Sequence, residues 1–387
     1  MTISSSLTDA YNQTQKKIEL DKNTKIILFS DLHRGVGDWS DDFAYNLQVF
    51  KYALQYYLDN DFTYIEVGDG DELWENNKSD DIKNEYYDTF DLMSKFYHKN
   101  KLHIIWGNHN EDWKNPDRVK KELHTFFPGL IKYEDGVKLG DKIFIVHGHQ
   151  VDFWCNNRVG KFSRYIVRNI WKPLQNNFGW KDPTSPAKNF NKRDKVDDKI
   201  FNWGKERKMI VIAGHTHRPM FKHMSKNDRK LKVKEEGPYY FNTGSCVHPR
   251  CITGIEIDGG YLFSWYEIPG SDSQKLKDFL RQGFGIDWVK TATIEKIDND
   301  KTLRISNERK ELLLKLNNEK TELTFKTDDG KTHQFNANIE NNKLKIYDVE
   351  KIRLIKWFNN VDATDGHLFI DRKVLEEGDL QQIINEL

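Results

Sequence analysis

Apolar, strand-like segments that each end in a cluster of Asp, Asn or His residues most restrict how this chain can fold. Helical patterns separate several of these segments. The alternation of strands and helices is typical of a parallel sheet, so the sequence predicts an α/β fold. In such sheets ligands gather beyond the carboxyl ends of the strands, and we expect the clusters to meet there. The five clusters are Asp31-Leu32-His33, Gly68-Asp69, Gly107-Asn108-His109, His147-Gly148-His149 and Gly214-His215-Thr216-His217.

The hydrophobic pattern also predicts the elements and the domains. Beyond residue 219 short alternating segments predict antiparallel strands, and a final helix is predicted over 372–387. A boundary near 284 predicts a first domain over 1–284, with a helical insertion at about 150–207, and a small β-rich accessory domain over 285–387. Strands are predicted over 25–30, 63–67, 101–106, 142–146 and 208–213, and helices over 41–58, 80–97, 117–127 and 194–203.

Charge and cysteine content restrict the partners and the compartment. Lys+Arg and Asp+Glu are both 60, so no global field draws the chain to nucleic acid or to an anionic membrane. The three cysteines are an odd number in a long chain, which favours a reducing compartment over a disulfide scaffold. No apolar run approaches the roughly 20 residues of a membrane span, and no signal-peptide core precedes Thr24. We therefore expect a cytoplasmic location and no transmembrane segment.

The donor atoms of the five clusters predict two adjacent metal ions. Two carboxylates, one amide oxygen and four imidazoles are too many ligands for one tetrahedral zinc ion. A set of mixed nitrogen and oxygen donors without thiolate suits Mn²⁺, Fe, Zn²⁺, Co²⁺ or Ni²⁺ better than Ca²⁺ or Mg²⁺. A pair of such ions can bind a phosphoryl oxygen and activate water for attack. The donors are Asp31, His33, Asp69, Asn108, His147, His215 and His217.

In this order, the clusters resemble those of the calcineurin-like metallophosphoesterases over about residues 25–267. The resemblance implies a four-layer α/β/β/α sandwich whose residues 1–284 form the catalytic domain. It implies two divalent transition metal ions, with Mn²⁺ as the expected metal, and attack of a metal-bound hydroxide on the phosphorus of a phosphate ester or diphosphate. The catalytic residues would be His109, near the leaving-group oxygen, with Asn108 and Asp69. Asp31, His33 and His217 would hold one metal, Asn108, His147 and His215 the other, and Asp69 would bridge them.

A weaker similarity to the UDP-2,3-diacylglucosamine hydrolase-like branch implies a nucleotide diphosphate conjugate as substrate. It rests on the basic helical insertion and on the Gly-His-Thr-His-Arg-Pro motif. The chain departs from that branch at His109, where the branch usually has Arg, and at His149, where it usually has Asp. The wider family often has an acid where Asn110 stands, so Glu111 or Asp112 is predicted as the partner of His109.

Some alternatives remain open in the sequence. Asp71 competes with Asp69 as the bridging carboxylate, because Gly70-Asp71 repeats Gly68-Asp69. The oligomeric state is not determined by the sequence. A binding scaffold without turnover and a nuclease of the same fold are the alternative functions, and the balanced charge argues against the nuclease. Substrate contacts are predicted for Arg34, His149, Arg158 and Arg164, each of which could instead have a purely structural role or lie in solvent.

Overall fold

A computed structural model gives the fold of the chain. The described residues are 3–20, 24–76, 78–129, 131–141, 143–152, 190–220, 240–248, 250–258, 265–266, 290–297, 302–308, 310–316, 321–326, 332–340, 343–347, 352–361 and 368–375. The helices are α1 (Ile3–Gln13), α2 (Leu47–Asp59), α3 (Ser79–Glu85), α4 (Tyr87–His98), α5 (Pro116–Leu123) and α6 (Phe190–Glu206). Strands β1 to β10 are Lys17–Ile18, Lys25–Phe29, Thr63–Val67, Leu102–Ile105, Tyr133–Glu134, Val137–Leu139, Ile143–Ile145, Ile210–Ala213, Tyr240–Asn242 and Cys251–Asp258. Strands β11 to β19 are Trp265–Tyr266, Thr293–Ile297, Thr302–Ser306, Glu311–Leu316, Thr321–Lys326, Thr332–Glu340, Lys343–Tyr347, Ile352–Val361 and Leu368–Val374.

The chain divides into two units. The second unit holds an antiparallel sheet of seven strands in the order β11-β17-β16-β15-β14-β13-β12. The end of the chain returns to the first unit, so its last strands are not grouped with the β-rich segment that precedes them. A division into a catalytic and an accessory domain at residue 284 stays a prediction. The first unit comprises Met1–Ile18, Lys25–Ile257 and Arg353–Leu387, and the second comprises Glu19–Thr24 and Asp258–Ile352.

Two sheets build the first unit. One has seven strands in the order β19-β18-β10-β2-β3-β4-β5, with β2 to β5 parallel. The other has five strands in the order β1-β6-β7-β8-β9, with β7 to β9 parallel. The parallel strands are apolar on both faces, as expected of sheets that are covered on both sides.

Each of these sheets has a helical layer on its outer side. Phe50 and Tyr57 of α2 pack edge-on against Phe29 of β2, in a core that also includes α4. On the five-stranded sheet, α1 and α6 share a core with Phe144 of β7, which packs against Trp203. Helix, sheet, sheet and helix layers therefore follow one another, and the predicted α/β fold with a β-rich C-terminal region is confirmed.

The strand register brings the carboxyl ends of neighbouring strands to the same edge. Phe29 of β2 pairs with Glu66 of β3, and Val67 pairs with Ile105 of β4. In the other sheet, Ile145 of β7 pairs with Ile212 of β8. Each of the five clusters follows one of these aligned strand ends.

Some predicted elements differ from those observed. The helix predicted over 80–97 is two helices, because the chain breaks at the buried Tyr86, whose hydroxyl donates to Asp41 Oδ2. The C-terminal helix is wrong at its start, since Arg372 lies in β19 and pairs with Trp357 of β18. Helix α1 was not predicted. The segments 230–234 and 271–279, predicted as a strand and a helix, lie outside the described residues. None of the described helices has the length and apolar character needed to cross a bilayer.

A buried carboxylate on β10 joins the last two strands to the seven-stranded sheet. Glu256 is 1% exposed, and Tyr57 donates a hydrogen bond of 3.1 Å to its Oε2. Arg353 of β18 donates to Glu256 Oε1 at 2.5 Å, and Arg372 of β19 donates to Oε2. Trp357 in turn donates to the Tyr57 hydroxyl at 3.2 Å. One carboxylate on β10 thus contacts α2 and both of the last two strands, which are distant from α2 in the chain.

Neutralising this carboxylate should destabilise the first unit. We expect Glu256→Gln to lower the free energy of unfolding by about 1–3 kcal/mol, because two guanidinium groups lose their charged acceptor. Urea denaturation measures the change. Asp42→Asn, which neutralises an exposed carboxylate of the same unit, is the control and should change stability by less than about 0.5 kcal/mol. Equal effects of the two substitutions would show that the Glu256 contacts add nothing to stability.

Candidate metal centre

Backbone hydrogen bonds join the loops that carry the clusters. The backbone N–H of Asp31 donates to Gly68 O at 3.1 Å, and that of His33 donates to Asp69 O at 2.8 Å. The two sheets are joined at this edge as well, because His215 N–H donates to Asp31 Oδ2 at 2.9 Å. His147 Nδ1 lies 2.9 Å from Val67 O. The structure therefore brings together the loops that follow β2, β3, β7 and β8.

The backbone at five of the candidate ligands is left-handed. Only a few per cent of non-glycine residues have a positive φ, and such residues concentrate at functional sites. The loops thus turn sharply at the candidate ligands. These turns direct the ligand side chains of different loops toward the same site. The φ angles are 52° at Asp31, 50° at His33, 49° at Asp69, 67° at His215 and 55° at His217.

Glycines next to the ligands allow close approach between loops. A methyl group at Gly107 would collide with the Asp69 carboxylate, and one at Gly68 would collide with the His147 ring. Gly68 also has a φ of 83°, which side-chain-bearing residues rarely adopt. These two glycines therefore hold space that the ligand side chains occupy.

The first group of candidate ligands is Asp31, His33 and His217. His217 Nε2 lies 3.1 Å from Asp31 Oδ1 and 3.3 Å from His33 Nε2. All three side chains present a ligand atom within 4.8 Å of the others. This is the set that the resemblance assigns to one metal ion.

The second group is Asp69, His147 and His215, again with ligand atoms within 4.8 Å of one another. His147 Nε2 lies 3.1 Å from Asp69 Oδ2. The same carboxylate oxygen is 3.9 Å from His33 Nε2 of the first group. Asp69 also forms a third, overlapping set with His33 and His109, so its carboxylate faces ligand atoms of both groups.

Unsatisfied polar atoms show that a cation fits this arrangement. Asn108 Oδ1 is buried and has no hydrogen-bond partner among the described residues, and His147 Nε2 faces Asp69 Oδ2 at 3.1 Å without hydrogen-bond geometry. Ligand atoms that bind one ion at about 2.0–2.2 Å stand roughly 3 Å apart, as the facing atoms do here. His33 and His217 also face each other through ring nitrogens, a contact that a shared cation satisfies. The donor set thus fits transition metal ions.

The buried carboxylates stay ionised because imidazoles surround them. Burial alone would raise the pKa of Asp31, but the charge and hydrogen bond of His217, with the charge of His147, lower it to about 2. Burial likewise opposes ionisation of Asp69, yet His147 and His109 hold the pKa of that carboxyl well below its usual range. Both ligand groups therefore present negative charge at neutral pH.

Glu72 is a functional residue that the sequence reasoning missed. Its Oε2 lies 2.7 Å from Nδ1 of His33 and 2.7 Å from Nδ1 of His109. Burial would lower the pKa of His33, but the hydrogen bond and charge of Glu72 overcome it and raise that pKa to about 10. One buried carboxylate thus orients a candidate ligand and the candidate acid. The clue in the sequence is the acidic run Asp69-Gly70-Asp71-Glu72, which continues past the strand end.

Neither of the acids predicted as the partner of His109 contacts its ring nitrogen. Asp112 accepts from Arg118 at 2.9 Å, and Glu111 lies 3.8 Å from Lys114. The predicted pairing of His109 with Glu111 or Asp112 is therefore wrong, because Glu72 takes that place.

The rival bridging carboxylate is engaged elsewhere too. Asp71 accepts from Trp113 Nε1 and from Arg34 Nε, both at 2.8 Å. It therefore has a structural role, and Asp69 alone of the two faces the ligand groups.

Arg34 does not face a substrate, contrary to the prediction. Its side chain is fully buried and makes two hydrogen bonds of 2.8 Å to the Glu66 carboxylate. A third, also of 2.8 Å, goes to Asp71. Such a bidentate pair fixes the relative position of its two partners. Arg34 therefore joins the loop after β2 to β3 and to the loop that follows β3.

The other predicted substrate contacts have different outcomes. His149 is 5% exposed and packs on the Trp106 ring at 4.7 Å between centroids. It also packs on the His147 ring, so it is part of the buried aromatic packing around that ligand. Arg158 and Arg164 lie outside the described residues. His109, by contrast, is partly exposed and stacks on Trp74 at 4.3 Å.

A second arginine braces the loop after β8. Arg218 donates to Asp194 at 3.0 Å and to Asp197 at 2.9 Å, both on α6. Asp197 also accepts from the hydroxyls of Thr216 and Tyr240. This buried network fixes the loop that carries His215 and His217, and no simple motif marks it in the sequence.

The comparisons with known proteins agree with this geometry. The family model of the calcineurin-like phosphoesterases matches residues 24–219, just over half of the chain. The matched range begins just before β2 and ends just after His217, so it contains every candidate ligand. No curated protein matches the sequence.

Removing the negative charge of Glu72 should weaken metal binding. We expect Glu72→Gln to raise the dissociation constant of Mn²⁺ at the His33 group about 10–100-fold, as is typical for partners that orient ligating histidines. Isothermal titration calorimetry of the metal-free protein measures it. Glu111→Gln, which removes the rejected partner of His109, is the matched control. If both variants bind Mn²⁺ as the unchanged protein does, Glu72 does not orient a ligand.

Proposed function

This chain belongs to the calcineurin-like phosphoesterase family, and we propose that it is a dinuclear metal hydrolase of a phosphate ester or diphosphate bond. The observation that carries the proposal is the convergence of two ligand groups on one carboxylate, Asp69. A complete ligand set argues against a scaffold that has lost turnover.

The residues of the chain divide the work of such a reaction. When bound, two cations would polarise the phosphoryl group and activate the attacking water. Asp31, His33 and His217 would hold one of them, and Asn108, His147 and His215 the other. Asp69 would contribute to holding both of them. The buried, braced loops keep these side chains in place before a substrate arrives, which lowers the cost of reorganisation during reaction.

In this proposal His109 would act as the acid. Its Nδ1–H donates to Glu72, which leaves Nε2 to hold or deliver a proton at the leaving-group oxygen. Its backbone N–H donates to Asp69 Oδ1 at 2.8 Å, so the backbone that carries the ring is tied to the Asp69 carboxylate. The stacked Trp74 limits rotation of the imidazole. The chain thus fixes the proton donor relative to the bridging ligand.

Substitutions should separate metal binding from proton transfer. We expect the protein to hydrolyse bis(4-nitrophenyl) phosphate with Mn²⁺, and Asp69→Asn to abolish both the activity and the second bound metal. His109→Asn should retain the metals and lose about 10²–10⁴-fold in kcat, the usual contribution of a positioned acid. Nitrophenolate release and metal analysis measure these outcomes.

His103→Asn is the matched control, because His103 lies on β4 and is not in a ligand group. It should keep full activity and both metals. The proposal would be contradicted if Asp69→Asn and His109→Asn both turned over at the unchanged rate.

We propose Mn²⁺ as the working metal and a nucleotide diphosphate conjugate as the substrate class. The mixed nitrogen and oxygen donors support the metal, and the similarity to the UDP-2,3-diacylglucosamine hydrolase-like branch supports the substrate. The cytoplasm is the proposed location, on the charge balance and the cysteine content. The domain proposal is that residues 1–284 carry the catalysis and that the β-rich segment after them is an accessory region.

A substrate panel tests the closer assignment. Under Mn²⁺ we expect the highest kcat/KM with nucleotide diphosphate conjugates, lower values with aryl diesters and the lowest with cyclic nucleotides. Metal-dependent release of nucleotide and phosphate products is the readout. Preference for cyclic nucleotides would reject the branch similarity and leave the dinuclear hydrolase in place.

A further inference from the structure

Lys114 places a positive charge on the ring of Trp106, which comes just before the Asn108 and His109 cluster in the chain. It ends the 3-10 helix Glu111–Lys114, in the segment that follows Asn108 and His109. Its Nζ lies 3.7 Å from the centroid of the Trp106 ring, and its side chain is 47% exposed. Trp106 is itself buried, and its Nε1 donates to Asp135 Oδ1 at 3.2 Å. An ammonium group is therefore seated on a ring that cannot move freely, while still facing solvent.

A continuous series of rings leads from this lysine to the second ligand group. Trp106 packs on His149 at 4.7 Å between centroids, and His149 packs on His147 at 5.3 Å. His147 belongs to the group that also contains Asp69 and His215. Lys114 is therefore on the His147 side of the centre, separated from it by one wall of aromatic rings.

The cations nearest the ligand motifs are already neutralised. Arg34 follows His33 and is fully buried against Glu66 and Asp71. Arg218 follows His217 and is buried against Asp194 and Asp197. The contact of Lys114 with Glu111 is long, at 3.8 Å, and both side chains are about half exposed, so the pairing is weak. A substrate anion therefore meets an accessible charge at Lys114 and not at either arginine.

We propose that Lys114 is a specificity-determining residue that binds a second anionic group of the substrate. That group is a phosphate or carboxylate several ångströms from the phosphoryl group at the metals. The inference rests on the proposed function, because it takes the reacting phosphoryl group to be held by the two ligand groups. It adds a preference for multiply charged substrates over singly charged ones of the same size.

A pair of nucleotides that differ in one phosphate tests this role. Adenosine 3′,5′-bisphosphate and adenosine 5′-monophosphate are titrated calorimetrically into the full-length, Mn²⁺-loaded protein, and the ratio of their association constants is the readout. We expect the unchanged protein to prefer the bisphosphate. Lys114→Gln should lower that ratio about fivefold to tenfold, the effect of losing one partly exposed charge-assisted hydrogen bond. Lys114→Arg should keep most of it.

Lys120→Gln is the control, because Lys120 is an exposed lysine on the neighbouring helix α5, and it should leave the ratio unchanged. The inference is overturned if the unchanged protein binds both nucleotides equally. It is also overturned if Lys114→Gln leaves the ratio unaltered, or if Lys114→Arg does not preserve it. Hydrolysis of bis(4-nitrophenyl) phosphate is measured separately, so a failure of turnover with an altered ratio would reject the proposed function and not the role of Lys114.

Discussion

The contact between buried carboxylates and imidazoles at the meeting edge of two sheets is the interaction on which the rest of the first unit depends. Asp31 and Asp69 are at most 1% exposed, and isolated buried anions are strongly unfavourable. Each is compensated by a ring nitrogen 3.1 Å away and by a backbone N–H, from His215 or from His109. Because Asp31 follows one sheet and His215 the other, the same contact that prepares a metal ligand also joins the two sheets. The site and the fold therefore share one set of hydrogen bonds.

The backbone conformation of the loops determines how the ligand side chains are oriented. Each left-handed non-glycine residue costs on the order of 1–3 kcal/mol, and persists only where its surroundings determine it. Here the surroundings are hydrogen bonds between loops, such as His33 N–H to Asp69 O, together with the tight approach that Gly68 and Gly107 allow. A chain that bears this strain before a cation binds loses less conformational freedom when it does. The strained turns, the unpaired Asn108 Oδ1 and the close contact of His147 with Asp69 are thus features of one preorganised site.

The sequence predicts the strands that position the site, because their apolar runs are continuous and end at polar clusters. The runs at 25–29 and 210–213 are strands in the structure, and the clusters after them contact each other. The role of Glu72 could not be read in the same way, since it depends on how closely the loops after β3 and β4 approach. Short strands such as β1 carry too few residues for a pattern. The strand at 368–374 was missed because its partner and its sheet are defined by tertiary pairing that a local pattern does not contain.

Positive side chains near the centre have two opposing effects. They fix the loops that carry the ligands, but they also repel the metal cations. An uncompensated guanidinium next to the ligands would repel a divalent cation and favour an empty site. Arg34 and Arg218 each follow a ligand histidine directly, yet each is buried against two carboxylates, so it fixes a loop without adding net positive charge. The accessible cation, Lys114, is displaced from the ligands by the rings of Trp106 and His149. A positive charge that does not touch the ligands can attract a multiply charged substrate from solvent. It weakens cation binding less than a charge in direct contact with the ligands would.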